Sequence, residues 1–201
     1  MRNPRRRRAV ATVSTPTTSS TRSPRVRSRR DIRIALILGA AVCLALGLAG
    51  RVGADRARFI AWKEPAAPPL ALSDLTGQAH TLADYRDRVV LMNFWATWCE
   101  PCRAEMASIQ KLQERLAGRP FTVLLVNYGE ARARVADFAN RGPIGARILL
   151  DPDQDAPRAW RVRVLPSSFL IGPDGRVRYG VIGEIDWASD DAIEVVQGLL
   201  R

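Results

Sequence analysis

Histidine is almost missing from this 201-residue chain, and cysteine is scarce: one His, His80, and three Cys, at positions 43, 99 and 102. A closed tetrahedral zinc site wants four nitrogen or sulfur ligands, so one built within a single chain would also need carboxylates. A basic surface is missing too, despite a net charge of +11. Residues 1–59 carry 14 Arg against Asp31 and Asp55, a net of +12, whereas residues 60–201 carry 17 Lys and Arg against 18 Asp and Glu, a net of −1. The positive charge belongs to the tail, so a nucleic-acid partner for the folded part is excluded. Long apolar runs are limited to one, the 17 residues Ile34–Gly50. With 47% hydrophobic residues the remainder has enough to build the core of one domain.

What the chain does contain is Phe94-Trp95-Ala96-Thr97-Trp98-Cys99-Glu100-Pro101-Cys102, an apolar run that breaks into two cysteines separated by two residues. Thiols at that spacing on the first turn of a helix can close a disulfide with little backbone movement, and Pro101 has a φ suited to an early helical position. Val89–Trp95 has the continuous apolar character of a strand covered on both faces. A strand feeding such a turn presents Cys99 at a helix N-terminus, where unpaired N–H groups and the helix dipole favour a thiolate. Cys99 is therefore expected to be the nucleophile, and Cys102, one turn inside, the resolving thiol. The helix continues with Met106, Ile109, Leu112 and Leu116 on one face and stops at Gly118 and Pro120. Cys102 and Ile109 flank Glu105 at three and four positions, which predicts Glu105 near the buried face. Asn93, the odd residue in its strand, reads as a hydrogen-bonded polar group beneath the cysteines.

Four segments are expected. Residues 1–31, rich in Arg, Ser, Thr and Pro, have too little to bury to become ordered. Residues 32–52 read as a transmembrane signal-anchor, with the 11 arginines before Ile34 setting the N-terminus in the cytoplasm and the rest outside. A cleaved signal peptide is the competing reading, with Val52-Gly53-Ala54 as the small residues before a cut, but the apolar stretch exceeds the usual roughly 7–15 residues. Cys43 lies mid-span as a small apolar residue. Residues 53–69 read as a stiff linker and 70–201 as the folded domain.

Within the domain, Leu70–Ser73 and Ala79–Thr81 suggest a hairpin, followed by a helical turn at Leu82–Tyr85. His80, far in sequence from the cysteines, is expected in a surface or structural role. Phe121–Asn127 predicts a second buried strand, parallel to the first, and Ala133–Asn140 a helix. Ile148–Leu150 and Ala156–Arg161 read as a short inserted strand and helix, Ser168–Ile171 and Val177–Ile182 as further strands. Ser189 caps a last helix that turns Ile193, Val196 and Leu200 inward.

Three blocks carry a family resemblance: Val90 through Met106, Val126-Asn127-Tyr128-Gly129-Glu130, and Val164-Leu165-Pro166-Ser167-Ser168-Phe169-Leu170-Ile171. In this order they make residues 65–201 similar to the membrane-anchored TlpA/ResA-type thiol-disulfide oxidoreductases. The resemblance implies a thioredoxin-like α/β fold, a central mixed sheet flanked by helices, with an N-terminal hairpin and a short insert, preceded by one transmembrane helix. It implies a redox-active Cys99–Cys102 pair, Glu105 as the acid assisting it, and Leu165-Pro166, with a cis bond, beside Trp98 as the surface that meets an extended substrate segment. No cofactor is called for. The implied substrate is the oxidised haem-binding motif of an apocytochrome c, during cytochrome c maturation, and the implied electron donor a membrane dithiol transporter of the DsbD/CcdA type. Glu130 matches a family acid near the active-site cavity, while acids in a helix first turn also occur for dipole reasons alone. The family's usual proline after Glu-Met is replaced by Ala107, which predicts a straighter helix.

The direction of electron flow turns on the stability of the Cys99 thiolate. Glu100 and Glu105 each oppose it by about 1 kcal/mol at intermediate dielectric, about 20 mV, which favours a reductase over an oxidase. Reduction of a copper site's thiols, or of exported proteins generally, keeps the same chemistry with another substrate. Copper delivery is disfavoured because residues 103–201 hold no histidine, and a peroxidase because Met92 and Ala96 stand where Pro and Thr or Ser are required.

Overall fold

The computed structural model describes residues 58–64, 66–142 and 144–201; the basic tail, the expected span and Cys43 lie outside them. The strands are β1 (Ile60–Ala61), β2 (Ala71–Asp74), β3 (Ala79–Thr81), β4 (Val89–Trp95), β5 (Phe121–Tyr128), β6 (Arg147–Asp151), β7 (Ser167–Ile171) and β8 (Val177–Ile182). The helices are α1 (Glu100–Arg115), α2 (Arg132–Ala139), α3 (Asp155–Ala159) and α4 (Asp190–Leu199). One mixed sheet runs in the order β1-β8-β7-β4-β5-β6-β2-β3.

The apolar run of β4 is the centre of this sheet, buried at every residue. Its period of two divides it between two cores: Val89, Leu91 and Trp95 enter one, Val90, Met92 and Phe94 the other. β5 lies parallel to β4 on one side and β7 antiparallel on the other. The first core is closed by Ile109 and Leu112 of α1, Val135 of α2, and Ala192, Ile193 and Val196 of α4. The second is closed by Ala156, Trp160 and Val162. Because β7 runs against β4, Ser167 pairs with Phe94, so Leu165-Pro166 meets the end of the sheet from which the Cys99 turn departs.

The β2–β3 hairpin and the 3-10 turn at Leu82–Tyr85 lie where they are expected. His80 is buried and structural. Its Nε2 donates to Asp74 Oδ2 at 3.1 Å, and its Nδ1 is hydrogen-bonded with the Tyr85 hydroxyl at 2.9 Å. Asp74 also receives Arg147 Nη1 at 2.8 Å and closes the hairpin turn by accepting from Thr76 and Gln78. The Thr76 hydroxyl, with His80 and the backbone donors, holds the Asp74 carboxyl well below its usual range.

Most boundaries move by a residue or two, and two differences matter for the sheet. β5 continues to Tyr128, which pairs with Asp151 of β6. The sheet also begins inside the stretch read as linker. Ile60 and Ala61 pair with Gly180 and Tyr179, Trp62 N–H donates to Arg178 O at 2.9 Å, and Trp160 Nε1 donates to Pro69 O at 3.3 Å. The physical reason is burial, since Trp62, Ala67 and Leu70 pack on the second core. Among the described residues no helix is long and apolar enough to cross a membrane.

Candidate active site

Cys99 is the N-cap of α1, with Pro101 inside the first turn, so the sulfur stands where the helix presents its unbonded N–H groups. Cys102 N–H points at Cys99 Sγ, 3.3 Å away. The two cysteines form a disulfide with Cα atoms 5.3 Å apart, and both are buried, at 5% and 1% exposure. Trp98 beside them is 61% exposed. Leu165 is half-buried and Pro166 buried, and the bond between them is cis. Gly183 N–H donates to Pro166 O at 2.9 Å and fixes this loop to the end of β8.

Glu105, one turn beyond Cys102, is 1% exposed. Its Oε2 accepts from Asn93 Nδ2 at 2.9 Å, and its Oε1 from Trp187 Nε1 at 2.8 Å and Ile185 N–H at 3.2 Å. Asn93 Nδ2 also donates to Ser168 Oγ at 2.8 Å, which joins α1, β4 and β7 through one amide. Burial outweighs the three donors and pushes the Glu105 carboxyl up to about 7, with Glu184 adding to the rise. At neutral pH this carboxyl can give or take a proton. Glu100, by contrast, is exposed and paired with Arg103, which screens its field at Cys99. α1 runs without interruption through Ala107.

Glu130 lies before α2, whose N-cap is Ala131, so it is not a first-turn acid. It is buried, and its carboxylate accepts from Thr97 N–H at 2.7 Å, Thr97 Oγ1 at 2.5 Å and Asn127 Nδ2 at 2.8 Å. It thereby holds the backbone two residues before Cys99. The turn that brings it there needs Gly129, whose φ is +73° and whose Cβ would run into the Gln154 side chain. Trp187, Thr97 and Ser168 have no signal of their own in the sequence. Trp187 meets Glu105 across 82 positions, and only the closed fold brings them together.

Residues 64–180, which hold all of these groups but Gly183, Glu184, Ile185 and Trp187, match the AhpC/TSA family. The chain belongs to the AhpC/TSA family. Among its relatives, the thiol-disulfide oxidoreductase ResA of Geobacillus thermodenitrificans is 38% identical over 117 residues, covering 58% of this chain and 67% of that one. ResA of Bacillus subtilis is 33% identical over 117 residues, covering 58% and 65%. The structure of a thioredoxin-family thiol:disulfide interchange protein from Chlorobium tepidum superposes with a TM-score of 0.60 at 26% identity, over 70% of this chain and all of the other. A DsbF homologue from Corynebacterium diphtheriae does so with the same score and identity, over 71% and 93%. This AhpC/TSA member thus has the thioredoxin-like fold that the three sequence blocks imply. At the positions a peroxidase would fill with Pro and Thr or Ser it buries Met92 and Ala96 completely.

Proposed function

We propose that this thiol-disulfide oxidoreductase reduces protein disulfides outside the cytoplasmic membrane. The observation that carries the reading is the Cys99–Cys102 disulfide seated on the N-terminus of α1. In the reduced protein, the Cys99 thiolate attacks one sulfur of the partner's disulfide. That S–S bond breaks, and the released partner sulfur takes up a proton. Cys102 then loses its proton and attacks Cys99 Sγ, which expels the second partner sulfur as a thiol and leaves the disulfide seen here. Two electrons and two protons pass to the partner. Glu105, with a carboxyl near neutrality one helical turn from Cys102, is the group suited to accept the Cys102 proton. Trp98, Leu165 and Pro166 form the surface on which the partner segment lies. Glu130 is a positioning residue for the turn.

Above neutral pH the ionised Glu105 opposes a thiolate on either sulfur, which favours the reductase direction. Residues 32–52 anchor the domain outside the membrane. An oxidised apocytochrome c motif is the substrate suggested by the ResA likeness, with a DsbD/CcdA-type dithiol protein resupplying electrons. The deciding experiment equilibrates the purified protein against defined thiol buffers. A potential near thioredoxin's, about −270 mV, supports the reductase; one near DsbA's, about −120 mV, makes the protein an oxidase of exported thiols.

A further inference from the structure

Between Thr97-Trp98, the two residues before Cys99, and α2 lies an open cleft of about 550 Å³. Its walls include Trp98, three arginines (Arg103, Arg134 and Arg141) and a single carboxylate, Asp137. Arg103 is paired with Glu100 yet keeps a side chain 44% exposed. The guanidinium groups of Arg134 and Arg141 have no partner among the described residues, and both side chains are exposed. This positive cluster is not spill-over from a basic domain, since residues 60–201 are net −1.

The start of α2 is also built against its own stability. Ala131 offers no side-chain cap, and the first turn holds Arg132 and Arg134 with no acid. Cations there oppose the helix dipole. Arg132 recovers a hydrogen bond to Leu75 O, whereas Arg134 recovers none among the described residues. Local choices that cost stability without an internal return collect at functional sites. Here they sit against Trp98, the most exposed aromatic side chain in the described fold and the neighbour of Cys99 in the chain.

We propose that this cleft docks an acidic segment of the partner protein, carboxylates against Arg134 and Arg141 and apolar atoms against Trp98, which brings the partner's sulfur to Cys99. The proposal rests on the oxidoreductase reading but not on its direction. The guanidiniums of Arg134 and Arg141 act with the same sign, so the cleft selects partners by charge and speeds their encounter.

The test uses the full-length protein and two short synthetic peptides that share one intramolecular disulfide, flanked by Asp and Glu in one and by Lys in the other. The ratio of their second-order rates cancels any change in the chemical step. The expected ratio is about tenfold in favour of the acidic peptide at low salt, shrinking at 0.5 M salt, where the screening length is only a few Å. In R134E/R141E the preference should invert, while K111E/R176E, an equal charge change elsewhere, should keep it. Equal rates for the two peptides, or a preference that survives R134E/R141E, overturns the docking site. Should the protein prove to oxidise rather than reduce, the same ratio is read with the oxidised protein and the dithiol peptides, so the two readings fail separately.

Discussion

Replacing Glu105 by glutamine should change how the stability of the oxidised protein depends on pH. The carboxyl is raised from 4.5 to about 7 by burial. Between those values the folded chain keeps a proton that the unfolded chain has released, so stability falls as pH rises through this window. At 1.36 kcal/mol per pH unit, the fall is about 3 kcal/mol, complete above the folded value. Among the described groups with a resolved shift, no other titrates here, because Asp74, Asp84 and Asp174 are lowered from 3.8 and Tyr85 is raised from 10.0. In E105Q the amide oxygen can still accept from Trp187 and Ile185, but its NH2 faces the donor of Asn93, a mismatch worth about 1–2 kcal/mol. The variant should therefore be less stable than the parent at pH 5, by up to about 1 kcal/mol because the parent has begun its fall there, and more stable at pH 8 by about 1–2 kcal/mol, where the parent holds a buried charge. Urea unfolding between pH 5 and 8.5, followed by tryptophan fluorescence, reads both curves. They should cross near pH 6; curves that run parallel across the window would refute a raised Glu105 carboxyl.

C102A should accumulate a mixed disulfide between Cys99 and a disulfide-bearing partner, visible as a mass adduct under non-reducing conditions, and C99A should not. E130A leaves Thr97 N–H and Asn127 Nδ2 without their acceptor, at a cost of about 3 kcal/mol in urea unfolding; T97V should cost about 1 kcal/mol, and the double variant less than the sum. Asp74 has a carboxyl lowered from 3.8 by Thr76 and its other donors, so its contribution is present above that pH and lost as pH falls below it. D74N should be less stable than the parent at pH 6, and the gap should narrow by pH 2, as measured by urea midpoints.

β4 was legible because a strand buried on both faces leaves an unbroken apolar run, and the Cys99 turn because thiol spacing and proline placement are local chemistry. Glu105 was placed by helical spacing alone, since a residue between Cys102 and Ile109 has to face inward. Its proton affinity was not legible. That depends on Trp187 and Ile185, about eighty positions away, and on the absence of water around it. The electrostatic case for a reductant shifted accordingly, with Glu100 spent on Arg103 and Glu105 protonated over part of the neutral range. Glu130 was visible as an acid, but its use required the turn at Gly129 and the reach to Thr97. β1 left no trace because two residues carry no period, and both of its residues are exposed.

That two-residue strand ties the order of synthesis to the order of assembly. Ile60 pairs with Gly180, 120 positions later, so the first strand to leave the ribosome has no neighbour until the last one follows. Pairing at such separation is slow, because a long loop must close before the contact returns anything. A domain threaded through a membrane pore behind its anchor, β1 before the other strands, would keep this edge open throughout transit. The sheet would be completed only on the far side, after nearly the whole domain has passed.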